Sequence, residues 1–120
     1  MTEQPESGAK TRSELSRDDR DKRIAAERRL LAAVCQNTLD AAARFEVMQR
    51  LAECALADPE DEVIFRALTK LPAGDPERTR MELGARITRL GFPDFDLDPF
   101  FNIAPADASE LPALFAMLEI

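Results

Sequence analysis

From Ile24 to Leu90 the apolar residues return every three or four positions, and the run is cut twice by an Asp-Pro step, at Asp58-Pro59 and Asp75-Pro76. That spacing lines one face of an α-helix; a half-buried strand would repeat every two residues. An Asp that caps a helix, followed by Pro at the first helical position, is a start signal with a physical basis. The carboxylate accepts a free N–H, and the missing proline N–H is one the helix does not need. Strand-like alternation never exceeds a few residues, and there is no internal repeat. The chain should therefore be a series of short helices.

The first helix is expected over residues 18–36, with Ile24, Leu31 and Val34 on one face and Ser16, Asp18 or Asp19 as its cap. Asn37 or Thr38 should end it, with Thr38 free to cap the next. The second, residues 39–57, carries two apolar stripes. One is Ala41, Phe45, Met48, Ala52 and Ala55; the other is Leu39, Ala43, Val47 and Leu51. Together they cover more than half the circumference, which predicts a central helix packed by several others, or one covered in a dimer. The third begins at Asp58, buries Val63, Ile64, Ala67, Leu68 and Leu71, and stops at Pro72 and Gly74. The fourth begins at Asp75, turns Leu83, Ile87 and Leu90 inward with Met81 nearby, and stops at Gly91. Residues 92–105 hold three prolines but also four Phe, so they should pack across the bundle with a short turn at Asp98–Asn102. A last helix is expected over 107–118, capped by Asp107, Ser109 or a neighbour, with Leu111, Leu114, Phe115 and Leu118 inward.

Residues 1–17 are polar, with Leu15 as the only large hydrophobe after Met1, and are expected to form a disordered arm. The expected architecture is all-α: a single bundle of four to five helices over 18–120, near up-and-down in topology.

The net charge of −7 is uneven: residues 1–29 carry +1 and residues 30–120 carry −8. An acidic body disfavours nucleic acid and anionic membrane as main partners, because phosphate binding depends on Lys and Arg. No stretch has the apolar length of a membrane span and no leader is visible, so a cytoplasmic location is expected. Cys35 and Cys54 fall among apolar neighbours and read as free thiols in a reducing compartment.

Catalytic chemistry lacks its parts. The chain has no His and no Tyr, and there is no glycine-rich phosphate loop. Glu60, Asp61 and Glu62 are accounted for by the positive end of a helix dipole. Asp94, Asp96 and Asp98 alternate like a calcium loop, but Pro99 stands where that loop needs Gly and Pro105 where it needs Glu. No enzyme activity, cofactor or metal is expected. Two features remain for binding. Phe92, Phe95, Phe100 and Phe101 are core filling or an apolar docking surface, as is the helix face bearing Val63, Ile64, Phe65 and Leu68. Arg78, Arg80, Arg86 and Arg89 make the fourth helix basic, either as a solvated face or as anion contacts. Arg20, Lys22, Arg23, Arg28 and Arg29 alternate with acids and read as ion pairs along the first helix.

Residues 26–102 also resemble a known family: the amino-terminal domain of hexameric replicative helicases and the related helicase-binding domain of bacterial primases. The motifs are Glu27-Arg28-Arg29-Leu30-Leu31-Ala32-Ala33-Val34, then Asp58-Pro59-Glu60-Asp61-Glu62-Val63-Ile64-Phe65-Arg66-Ala67-Leu68, then Glu82-Leu83-Gly84-Ala85-Arg86-Ile87-Thr88-Arg89-Leu90-Gly91. Where the family has a helix-breaking Pro soon after Leu-Leu, this chain has Gln36-Asn37-Thr38. The resemblance implies a docking domain and not a motor. Residue pattern and resemblance converge on a protein–protein interaction module: an adaptor, a regulator or a self-associating scaffold, with homodimerisation as one form. The alternative is a nucleic-acid-associated regulator acting through Arg78–Arg89.

Overall fold

The computed structural model describes the backbone of residues 8–119 and the side chains of residues 17–119. These residues are all-α. The helices are α1 (Gly8–Cys35), α2 (Ala41–Glu53), α3 (Pro59–Leu68), α4 (Pro76–Arg89), the single turn α5 (Asp98–Phe101) and α6 (Leu111–Met117), which a 3₁₀ turn (Ala108–Glu110) leads into. Residues 1–7 of the expected arm lie outside the described residues. The backbone of α1 is helical from Gly8, ahead of Asp18 where the apolar spacing begins. No helix among the described residues is long and apolar enough to cross a membrane.

The start signals act as their chemistry requires. The Asp58 side chain accepts from the Glu60 N–H, with Pro59 opening α3, and Asp75 accepts from the Arg78 N–H ahead of Pro76 in α4. Asp107 accepts from the Ser109 and Glu110 N–H groups while the Glu110 side chain accepts from the Asp107 N–H, a reciprocal cap. Gly91, with φ +107°, ends the α4 segment in the left-handed region. At α2 the cap is Asp40, accepting from the Ala43 N–H at 2.8 Å, and not the expected Thr38. Thr38 instead points its hydroxyl at the Ala33 and Ala106 carbonyls.

The centre of the fold is α1, not α2. Every residue from Leu30 to Cys35 is buried, so this part of the helix is covered on all sides. The other five helices all pack on α1 and sheath it. Ala32 and Ala33 let neighbours approach the helix closely, while Leu30, Leu31 and Val34 fill the space between them. Val47 and Leu51 of α2, Val63, Ile64 and Leu68 of α3, Leu83 and Ile87 of α4, Phe100 of α5, and Leu111 and Phe115 of α6 complete the core.

Of the two apolar stripes on α2, only Leu39, Ala43, Val47 and Leu51 turn inward. The other was expected in the core, but Phe45 is 68% exposed and Ala41, Ala52 and Ala55 are exposed with it; Met48 is half-buried. A single central helix is enough for a bundle of this size. Once α1 takes that place, α2 has one face to bury and not two. Met81, 73% exposed, and Leu90 likewise lie outside the core that Leu83 and Ile87 define.

These placements make opposite predictions for two large side chains. Leu31→Ala should lower the unfolding free energy by roughly 3 kcal/mol, the usual cost of a core truncation. Phe45→Ala should lower it by less than about 0.5 kcal/mol, as for a surface change. Urea unfolding of both variants measures the difference, and comparable losses would contradict the assignment of α1 as the centre.

Candidate functional site

The residues singled out by sequence separate into three groups in space. The aromatic segment divides first. Phe100 is fully buried, and Phe65, Phe95 and Phe101 are half-buried against the core. Val63, Ile64 and Leu68 are buried as well, so only part of each expected docking face reaches solvent. Phe92, 44% exposed, is the one aromatic of residues 92–101 that reaches solvent well. The reason is the backbone path. Gln36 donates its side-chain amide to the Phe100 and Ile103 carbonyls at 3.2 and 3.1 Å, which draws α5 onto the end of α1. Arg29 donates to the Ala104 and Pro105 carbonyls and the Ala106 N–H donates to the Arg29 carbonyl. The segment forms little regular structure of its own, so its carbonyls take donors from α1.

The basic residues of α4 divide too. Arg78, Arg86 and Arg89 lie along one face and line an open cleft with Lys70. Arg80 points elsewhere: its guanidinium meets Asp98 at 2.5 Å and lies 5.2 Å from the centre of the Phe101 ring. The four arginines therefore do not form one surface. Of the three aspartates after α4, Asp96 serves the turn, its side chain accepting from the Asp98 N–H at 3.0 Å, and Asp98 holds Arg80.

The third group was missed as a cluster. Glu27 and Arg28 of α1 and Asp58, Glu60 and Asp61 at the start of α3 meet where the two helices cross. Arg28 donates to Asp61 Oδ1 at 3.0 Å, to Asp58, and to Glu60 at 3.3 Å, and its guanidinium lies 5.5 Å from the centre of the buried Phe100 ring. Glu27 Oε2 accepts the Ala57 N–H at 2.9 Å, and Arg23 Nε lies 3.3 Å from the same oxygen. Arg23 and Arg20 donate onward to the Ala55 and Ala57 carbonyls. On the next position of α1, Arg29 grips Glu110 with two bonds of 2.6 Å. Arg29 thereby holds the Glu110 carboxyl below its ordinary range. Local ion pairing along α1 describes Arg23–Glu27 and Lys22–Asp18 but not Arg28 or Arg29, which tie α1 to α3 and to the α6 segment. Two adjacent arginines directly before a six-residue apolar run were the available signal, since their heads must leave the helix at the edge of the core.

Glu27 and Asp61 are both fully buried, and each keeps one oxygen, Oε1 and Oδ2, without a donor. A buried carboxyl oxygen without a donor favours the protonated form of the group, and a proton on Asp61 would supply the donor that is missing here. Burial, and then the hydrogen bond with Glu27, push Asp61 up to about 8, against the opposing pull of Arg28. The pair is walled in by helix contacts. The described residues hold no group of three or more candidate metal ligands. The bonds of Glu27 and Asp61 tie α1 to the head of α3 and to the linker before it. Burial also pushes Cys35 up to about 12 and raises Cys54, which leaves both free thiols poor nucleophiles near neutral pH.

Among the described residues, two exposed features stand out: the α2 stripe around Phe45 and the cleft beside α4. Neither is a closed pocket with convergent reactive groups.

The Asp61 carboxyl has a definite pH signature. Its value in the folded chain lies above that of the unfolded chain, so the folded state holds about one extra proton between pH 4 and pH 8. Stability from this group is greatest at low pH and is lost as pH rises toward 8, with no further change above it. Asp61→Asn keeps a neutral side chain whose amide can donate to Glu27 while its oxygen still accepts from Arg28. The variant should gain stability relative to the parent as pH rises, and its unfolding should involve about one proton fewer across that window. Urea midpoints from pH 5 to pH 9 measure this; parallel pH profiles for parent and variant would refute the proton on Asp61.

Comparison with protein-family models, with curated proteins and with solved structures returns no significant match.

Proposed function

We propose that this chain is a protein–protein interaction module that docks through the outer face of α2. The observation that carries this reading is the exposure of Phe45 within a stripe of small and flexible apolar residues: Ala41, Met48 and Ala52. Their spacing of four, three and four residues is the seam spacing with which one helix receives another. A large aromatic among alanines forms a ridge that a partner groove can enclose. Aromatic anchors of this kind carry a disproportionate share of interface energy. The fold does not need Phe45 for its own core, so the apolar surface is free for a partner.

The specific form suggested by the family resemblance is a docking domain for a replicative helicase or primase subunit. The motifs behind it include the buried Leu30-Leu31 run and the Ile64-to-Leu68 stretch, which serve the core here. The α2 stripe is the added surface that this chain offers. Self-association through the same stripe is the competing form. The nucleic-acid reading receives less support, because Arg80 is engaged with Asp98 and the remaining cations are confined to one cleft.

Wild-type chain and Phe45→Asp, immobilised side by side and exposed to native host extract, test the proposal. The expected result is at least a tenfold loss of one or a few captured proteins with the variant, at unchanged helix content. A helicase or primase subunit among the lost proteins would support the specific form, and loss of a dimer in sedimentation would support self-association. Identical capture by the two chains, both sedimenting as monomers, would overturn the docking role of α2.

A further inference from the structure

The cleft beside α4 has an occupant class of its own. It is an open space of about 620 Å³ between α4 and the loop that follows α3. Its charged lining is Lys70, Arg78, Arg86 and Arg89 against Asp75 and Glu82, a local excess of two positive charges on a chain whose net charge is −7. The two acids are already engaged. Asp75 accepts from the Arg78 N–H at 3.2 Å as the cap of α4, and Glu82 pairs with the Arg78 guanidinium at 3.0 Å. Lys70, Arg86 and Arg89 then have no carboxylate partner among the described residues. Arg23, Arg28, Arg29, Arg50 and Arg80 each lie against one. Arg86 and Arg89 leave the same face of α4 within one turn, and Arg86 is half-buried in the wall of the cleft.

We propose that this cleft binds an acidic peptide segment of a partner protein. Guanidinium forks match carboxylates with two parallel hydrogen bonds, and two arginines one turn apart beside a lysine suit successive acidic side chains. The lining is too polar and too open for the enclosed, mainly apolar type of small-molecule pocket. A nucleic-acid strand fits less well. A strand long enough to bind through its phosphates would run past the cleft onto a body that carries −8 over residues 30–120, whereas a short acidic peptide meets only the cleft. The proposal rests on the reading of the chain as a docking module but not on the α2 stripe, which is a separate surface.

The test uses the full chain, a fluorescent hexaglutamate peptide and a hexathymidylate oligonucleotide, with anisotropy at low and moderate salt and amide shifts by NMR. Hexaglutamate should bind saturably at low salt, more tightly than the oligonucleotide, with shifts confined to residues 70–89. Arg86→Glu with Arg89→Glu should weaken it at least tenfold. Arg17→Glu with Lys22→Glu, the same charge change on an exposed part of α1, should leave it within about twofold. Absence of saturable binding, equal weakening by the two double variants, or tighter binding of the oligonucleotide each overturns the proposal. Peptide binding at the cleft combined with identical capture by wild type and Phe45→Asp would remove the α2 reading alone, and the reverse pattern would remove the cleft alone.

Discussion

The fold depends on six consecutive buried residues, Leu30 to Cys35, in one helix. A helix apolar all round cannot stop at one neighbour; it must be sheathed, and the rest of the chain supplies the sheath. The hydrophobic effect alone would not say which segment lies where, because it has no direction. Direction comes from the polar residues that flank the run. Glu27, Arg28 and Arg29 stand at its start and Gln36 at its end. Arg28 takes the head of α3, Arg29 takes Glu110 and the carbonyls of Ala104 and Pro105, and Gln36 takes those of Phe100 and Ile103. The oily run provides the driving force and its polar margins provide the register.

Helix starts and stops were legible because they are local. Asp58, Asp75, Asp107 and Gly91 act within one turn of themselves, and the Asp-Pro steps mean the same thing in any bundle. The core faces of α3 and α6 were legible for a related reason, since each has only one apolar stripe. The error over α2 arose where that condition fails. Leu39-Ala43-Val47-Leu51 and Ala41-Phe45-Met48-Ala52 are equally good stripes by spacing, and spacing cannot rank them. The ranking is tertiary: branched Val47 and Leu51 pack against a helix already lined with alanine, and Arg44 reaches the Leu71 carbonyl and fixes the rotation of α2. The Arg28 and Arg29 links were hidden behind a sufficient local explanation, because pairs along one helix account for the same charges.

Charge follows the same division between local and global rules. The body is acidic, yet the structure gathers Arg78, Arg86 and Arg89 with Lys70 into one cleft and turns Arg80 away from it to Asp98. A sequence window over α4 counts four arginines alike. Only the rotation of α4 against α3, set by Leu83 and Ile87 in the core, separates three from the fourth. Burial of those two residues thereby decides the character of the opposite face.

The buried Glu27–Asp61 pair makes sense within this frame. Desolvating two carboxylates is costly, and a pair of apolar residues of similar volume would often hold two helices together as well. What the acids add is a link with a unique geometry. Glu27 accepts the Ala57 N–H while Asp61 accepts from Arg28, so the linker into α3 and the first turn of α3 are both pinned to the same turn of α1. The linker begins where α2 ends, and α3 runs on into Lys70 at the rim of the cleft. One fixed crossing thus positions one end of each proposed docking surface, with Arg20 and Arg23 bracing the linker carbonyls beside it. An apolar contact at that crossing would tolerate rotation of α3 about its axis. The Glu27–Asp61 pair does not, because turning α3 would part Arg28 from Asp61 and leave buried polar groups without their hydrogen bonds.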